Sequence, residues 1–149
     1  MITVDTNVLV YIYDGFDPAR QQAALAIVQR LAARGAPVAR QAIGELHNVL
    51  RRELRRPAWE AAQAARTVLT AFDSSFPASA QAVEDALAHA SAGSLGYWDA
   101  LLVASARDAG CSMLISEDMH PGRLLSIEIV KPFDTGGRFS DRVIELLGL

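Results

Sequence analysis

One stretch narrows the possible folds more than any other: YWDALLVASARDAG at residues 97–110, followed at once by SMLIS at 112–116. The first part reads as a helix that is apolar on nearly all sides, ended by Gly110. Such a helix has no face to offer water, so it must be covered by other structure. The second part is a short apolar run with the length of a buried strand. A buried helix feeding a strand implies an α/β fold with a parallel sheet. IEIVK at 127–131 gives a further strand, and the interval EDMHPGRLL reads as a loop or a single turn.

The same alternation runs through the first half. Residues 1–5 (MITVD) read as a buried strand, and Thr6 or Asn7 can cap a helix that begins near Val8. A strong helix pattern covers 18–34, from Pro18 to a stop at Gly35. APVAR (36–40) is a strand. Residues 41–56 read as a helix ended by Pro57, followed by a helix over 58–72. An extended piece near Ser75–Pro77 leads into a helix at 79–91, and SAGSLG (91–96) is a loop. With 149 residues the chain fits one domain, placed at residues 1–133, with 134–149 as a tail that forms one short amphipathic helix. That tail either packs locally or docks Val143, Ile144, Leu146 and Leu147 on a partner subunit.

Composition removes several function classes. Cys111 is the only cysteine, so the chain has no internal disulfide and no zinc-type cysteine cluster, which fits a reducing cytoplasm. His47, His89 and His120 lack zinc-protease spacing, and neither a glycine-rich phosphate loop nor a dinucleotide fingerprint is present. No signal peptide or membrane span is expected. Net charge is −3, yet residues 20–66 hold nine arginines against three acids, while the remainder holds fourteen acids against five basic residues. A basic segment beside an acidic remainder is compatible with an anionic partner near a cation-binding cluster, and equally with two solvated faces.

Four acids stand out by position. Sites in parallel α/β sheets form beyond the carboxyl ends of the strands. Asp5 ends the first strand, and Asp118 lies two residues past LIS. Glu45 borders the apolar stripe of the helix after the second strand, and Asp99 lies in the first turn of the buried helix. Each alone has an ordinary explanation in capping or solvation. Together, four carboxylates at one rim would repel one another unless a divalent cation joined them, and hard oxygen donors suit magnesium or manganese. Such an ion points to phosphodiester hydrolysis. DTN lacks the second aspartate of a DxD phosphatase pattern, which leaves a small-molecule phosphatase as the weaker reading.

VDTNVLVY, GEL, YWDALLVASARDAGC and LISEDM, in this order on these elements, resemble PIN domains, and most of all the ribonuclease toxins of bacterial VapBC toxin–antitoxin pairs. The resemblance covers residues 1–133. It implies a three-layer sandwich with a mostly parallel central sheet flanked by helices. It implies that Asp5, Glu45, Asp99 and Asp118 bind magnesium or manganese, supported by Thr6, Asn7 and Ser116. It further implies an endoribonuclease acting on tRNA or rRNA, a homodimer, and an antitoxin partner that blocks the site. The alternative is a non-catalytic PIN-like module that binds RNA or protein.

For the RNA path, RRELRR (51–56) supplies four arginines. On a helical wheel Arg52 and Arg56 share the side of Glu45, so both are candidates for flanking phosphates. Tyr97 and Trp98 could stack on bases, although aromatics that open a buried helix usually belong to the core. His120 and Arg123 lie just past Asp118 and are further candidates to flank the site.

Overall fold

The computed structural model describes residues 1–149. It contains β1 (Ile2–Val4), α1 (Thr6–Tyr11), α2 (Pro18–Ala33), β2 (Pro37–Ala39), α3 (Arg40–Arg52), α4 (Ala58–Ala71) and β3 (Ser74–Phe76). These are followed by α5 (Ala80–Ser91), α6 (Tyr97–Asp108), β4 (Met113–Ile115), β5 (Gly122–Leu124), β6 (Ile127–Val130) and α7 (Asp141–Leu147). No helix is long and apolar enough to cross a membrane.

The strands form a four-stranded sheet in the order β1-β4-β6-β5 and a two-stranded sheet of β2 and β3. All pairings are parallel except β5 with β6. β2 lies beside β1, where Thr3 Oγ1 donates to the Pro37 carbonyl at 2.8 Å. Neighbouring residues of a strand point to opposite faces. Thr3 and Val4, Val38 and Ala39, and Leu114 and Ile115 are all buried, so helices cover both faces. α6 is sealed in as its sequence requires, with every residue from Ala100 to Ala106 buried. Small residues, Ala82 and Ala86 against Ala100 and Ala104, let α5 and α6 pack together as a satellite of the main core.

Register sets the position of the rim. Val4 pairs with Ile115 and Ile115 with Val130, so three parallel strands end level. The Asp5 amide then donates to the Ile115 carbonyl, and the Ser116 amide to the Val130 carbonyl. The residues that follow β1 and β4 are thereby brought face to face.

Three expectations are corrected. The cap of α1 is Asp5 itself, whose side chain accepts from the Thr6 amide, so neither Thr6 nor Asn7 caps. The interval after Asp118 contains β5, which forms a hairpin with β6. Its turn uses Leu125 and Ser126 at φ 48° and 72°. Such turns ordinarily carry Asn or Gly, and Leu125 and Ser126 carry no such signal. Third, α3 stops at Arg52, four residues earlier than Pro57 indicated, and Arg55 takes φ 53°.

Of the two readings of the tail, local packing is the one that holds. α7, capped by Ser140, buries Val143 and Leu147 completely in the chain's own core. Arg34 donates to the Leu146 and Leu147 carbonyls, which fixes the end of α7 to α2. Val143 and Leu147 therefore cannot dock on a partner subunit, and of the four apolar residues only Ile144 is largely exposed.

Candidate active site

Asp5 is buried at the end of β1, and both its oxygens are occupied. Oδ1 accepts from the Thr6 amide at 2.6 Å, while Oδ2 accepts from Ser116 Oγ at 2.7 Å and Asn7 Nδ2 at 3.3 Å. Glu45 lies in the second turn of α3. Thr6 Oγ1 donates to its Oε2 at 2.8 Å and Gln41 Nε2 to its Oε1 at 2.7 Å. Asp99 sits in the first turn of α6 and Asp118 just past β4, both at the surface. Ser116 is fully buried beneath Asp5, and its hydroxyl also accepts from the Met119 amide, which fixes the turn carrying Asp118. The supporting roles foreseen for Thr6, Asn7 and Ser116 thus have hydrogen-bond partners.

All four acids line one open cleft of about 370 Å³, together with Thr6 and Asn7. Asp14 and Glu53, two acids that the sequence reading passed over, line it as well. Glu53 follows Glu45 by eight residues, a spacing that keeps one helical face, so it was detectable. Asp14 lies in the irregular segment after α1, where no periodicity marks it.

The cleft is short of positive charge. None of its six acids takes part in an ion pair. Asp5 is pushed from its ordinary 3.8 up to about 6. Burial is the main cause; the Ser116 and Thr6 hydrogen bonds oppose it, and the charges of Asp99 and Glu45 add to it. Asp99 is raised as well, first by desolvation and then by Glu45 and Asp118. Arg20, beside the cleft wall, is engaged by Glu117 at 3.4 Å and by the Tyr11 hydroxyl at 3.3 Å.

An all-oxygen donor set with uncompensated charge fits a hard divalent cation such as magnesium or manganese, and offers nothing to a thiophilic one. The fit is one of chemistry and location. No three of the acids stand close enough together to chelate an ion as they are placed, as expected of carboxylates that repel one another.

The basic candidates fare unevenly. Because α3 ends at Arg52, the wheel position given to Arg56 does not apply. Arg56 donates to the Tyr13 carbonyl and pairs with Glu60 at 3.7 Å, which removes it as a free phosphate contact. Arg52 is exposed at the end of α3. Arg123 lies on β5, in a different hollow shared with Glu128 and Arg142, and so does not flank the acids. Trp98, expected in the core, is 63% exposed. It opens the first turn of α6, before that helix becomes buried.

Comparison with known proteins places this arrangement. No curated protein sequence matches the chain significantly. VapC20 of Mycobacterium tuberculosis, described as a sarcin–ricin loop cleaving toxin, superimposes with a TM-score of 0.59 at 23% identity, over 79% of this chain and 92% of its own. VapBC2 from Rickettsia felis, solved bound to a DNA fragment from its promoter, gives a TM-score of 0.65 at 15% identity, over 88% of this chain and 98% of that one. At such identities the two structures establish a shared fold. The family model described as PIN domain matches residues 2–123, a span that includes all four acids and the strand ends that present them. By that match the chain belongs to the PIN domain family.

Proposed function

We propose that this chain is a metal-dependent endoribonuclease, the toxin of a VapBC-type toxin–antitoxin pair. The observation that carries the reading is the cleft in which Asp5, Glu45, Asp99 and Asp118 meet at the strand ends with no cation to neutralise them. Asp5, Glu45 and Asp99 would hold a magnesium or manganese ion, with Asp118 joining directly or through water. When bound, such an ion supplies a Lewis acid that activates water and offsets charge on the phosphoryl group.

The protein's own part is preorganisation. Ser116 and the Thr6 amide hold the two Asp5 oxygens, while Thr6 Oγ1 and Gln41 hold those of Glu45. These donors fix Asp5 and Glu45 before an ion arrives, so closing the donor set falls to Asp99 and Asp118 at the surface. The uncompensated acids also repel an RNA phosphate until a cation is present, which couples substrate entry to metal loading. Arg52, at the end of α3, is the side chain proposed to steady a phosphate flanking the cut.

The catalytic unit is taken as residues 1–133, with 134–149 as an extension fastened to α2. Structured RNA is the first substrate class to test, since the similar toxin VapC20 is described as cleaving the sarcin–ricin loop. A cognate antitoxin and a homodimer are proposed by analogy with VapBC systems. Total RNA incubated with manganese, with and without chelator, followed by mapping of new 5′ ends, tests the reading. Discrete metal-dependent ends, lost in Asp5→Asn, are expected. Absence of cleavage with either metal, or cleavage indifferent to chelator, would overturn it.

One observation favours a second reading, a non-catalytic module that binds RNA or protein: no three acids stand at chelating distance. Calorimetric titration with manganese separates the two. A nuclease binds the ion at the cleft and loses that binding in Asp5→Asn; an inert module binds none.

A further inference from the structure

We propose that the hollow on the far side of Glu45 binds one unstacked nucleobase of a single-stranded RNA segment, with Trp98 as its stacking platform and Arg40 as the contact to its phosphate. This rests on the nuclease reading for its biological sense, although the binding can be measured without cleavage.

The hollow measures about 770 Å³ and is walled by Arg40, Gln41, Asn48, Trp98 and Leu101. That lies within the range of roughly 300–1,000 Å³ typical of ligand sites. It shares Glu45 with the acid cleft, so a strand crossing that residue passes from one cavity into the other. Trp98 precedes Asp99 directly in the first turn of α6, and Gln41 bridges Glu45 to the Trp98 carbonyl. The ring is steadied from the side by Tyr97, edge-on at 5.0 Å and 76°. A large aromatic face left in water and held in place is what base stacking requires.

The polar groups around it are also incompletely used. Arg40 touches Ser75 Oγ at 3.1 Å and pairs with no acid, so its charge is uncompensated. Gln41 gives its amide hydrogens to Glu45 and to the Trp98 carbonyl, and its Oε1 has no donor. Reversing the amide would set two oxygens against each other at Glu45, so that orientation is fixed. The exposed lining is mostly apolar, as a stacking site requires, while Arg40, Gln41 and Asn48 among the lining residues favour a base over the apolar face of a second protein copy. The other exposed tryptophan, Trp59, lies where Arg56 is already paired to Glu60, and so lacks the free cation.

The test uses full-length protein carrying Trp59→Phe, so that Trp98 is the sole tryptophan, and Asp5→Asn, so that RNA is not cut. A mixed-sequence single-stranded RNA decamer should quench the indole fluorescence saturably. Trp98→Ala, followed by fluorescence anisotropy of a labelled decamer, should weaken affinity about tenfold, and Trp98→Phe should restore most of it. Arg40→Ala should lower the salt slope by about one released ion. Absence of quenching, or unchanged affinity in Trp98→Ala, overturns the proposal. So does a halved molar mass of Trp98→Ala in sedimentation, which would assign the hollow to a second copy. Quenching by RNA in a protein whose parent never cleaves would sink the nuclease reading and leave this one standing. Cleavage indifferent to Trp98 would do the reverse.

Discussion

Acids occur in two settings in this molecule, and they behave in opposite ways. Around α5, α6 and α7, Asp85, Asp108 and Glu128 each meet an arginine. Arg107 reaches Asp85 and Asp108 at 2.7 Å, Ser79 donates to Asp108 at 2.5 Å, and Arg142 grips Glu128 at 2.9 Å. Asp85, Asp108 and Glu128 are accordingly held below the usual carboxylate range. In the cleft Asp5 and Asp99 move the other way, upward, because burial and like charge outweigh their hydrogen bonds. The same chemical group is neutralised by the fold in one region and left exposed to repulsion in the other. Carboxylates kept close but unpaired mark a place for a cation that the polypeptide does not supply.

The sharpest way to break that contrast is to neutralise one acid from each region. Asp99→Asn should reduce RNA cleavage by at least about 100-fold, as losing a group that acts on the reacting centre typically does. Asp108→Asn should leave cleavage within about twofold. Initial rates on a fixed RNA with manganese make the comparison, and equal losses in the two variants would erase the distinction between the regions.

Much of this was legible from residues alone. The helix over 97–110 and the strand after it announced a parallel sheet, and the four acids followed from their places at strand and helix ends. Their convergence depends on register, Val4 against Ile115, which no local pattern states. Glu53 could have been read from its helical phase with Glu45. Asp14 could not, since irregular chain carries no period. β5 stayed hidden because its turn is made by Leu125 and Ser126. Trp98 was misjudged because helix burial was treated as uniform, whereas the first turn of α6 projects past the layer that covers the rest. The tail had two readings, and no local pattern could choose between them: the partner of Val143 and Leu147 is a surface of the same chain.

Stability provides the second contrast. The Asp5 carboxyl titrates near 6 in the folded chain against an ordinary 3.8, so the native state binds that proton more tightly than the unfolded state. The resulting stabilisation is full below pH 3.8 and is lost as pH rises through 6, by on the order of 3 kcal/mol. Asp85, Asp108 and Glu128, shifted downward, stabilise above their unfolded values and lose that effect as pH falls. In chelator, Asp5→Asn should therefore melt roughly 5–10 °C above the wild type at pH 7.5, and close to it at pH 4. Saturating manganese should narrow the gap by stabilising the wild type alone. Thermal melts at both pH values check this, and a wild type that melts above Asp5→Asn in chelator at pH 7.5 would contradict it.

A third, smaller effect concerns the residues beneath the acids. Ser116→Ala removes the donor at 2.7 Å from Asp5 Oδ2 and touches no solvent. Supporting groups of this kind are worth about 10- to 100-fold in metal affinity, and the lower end is expected here because Asn7 still donates to the same oxygen. Calorimetry with manganese should show the weakening with little change in the number of sites. Ser79→Ala, which removes the equivalent donor from Asp108, should leave manganese affinity unchanged.

The smallest expected effect is the most discriminating about cause. Arg107→Ala strips the cation from Asp85 and Asp108 and makes the whole protein one unit more negative. If the cleft attracts a divalent ion through the protein's overall charge, this variant should bind manganese more tightly. If attraction is local, affinity should not move. The axial distance along α6 from Asp99 to Arg107 is about 12 Å by helix rise, beyond the screening length of about 8 Å at physiological salt. The local account therefore predicts unchanged manganese affinity at 0.15 M salt and a melting temperature lowered by no more than about 3 °C, since exposed ion pairs contribute little. A tightening that fades as salt is raised would show that the cleft draws its ion through the net charge of the molecule, and the contrast between the two regions would then be one of degree.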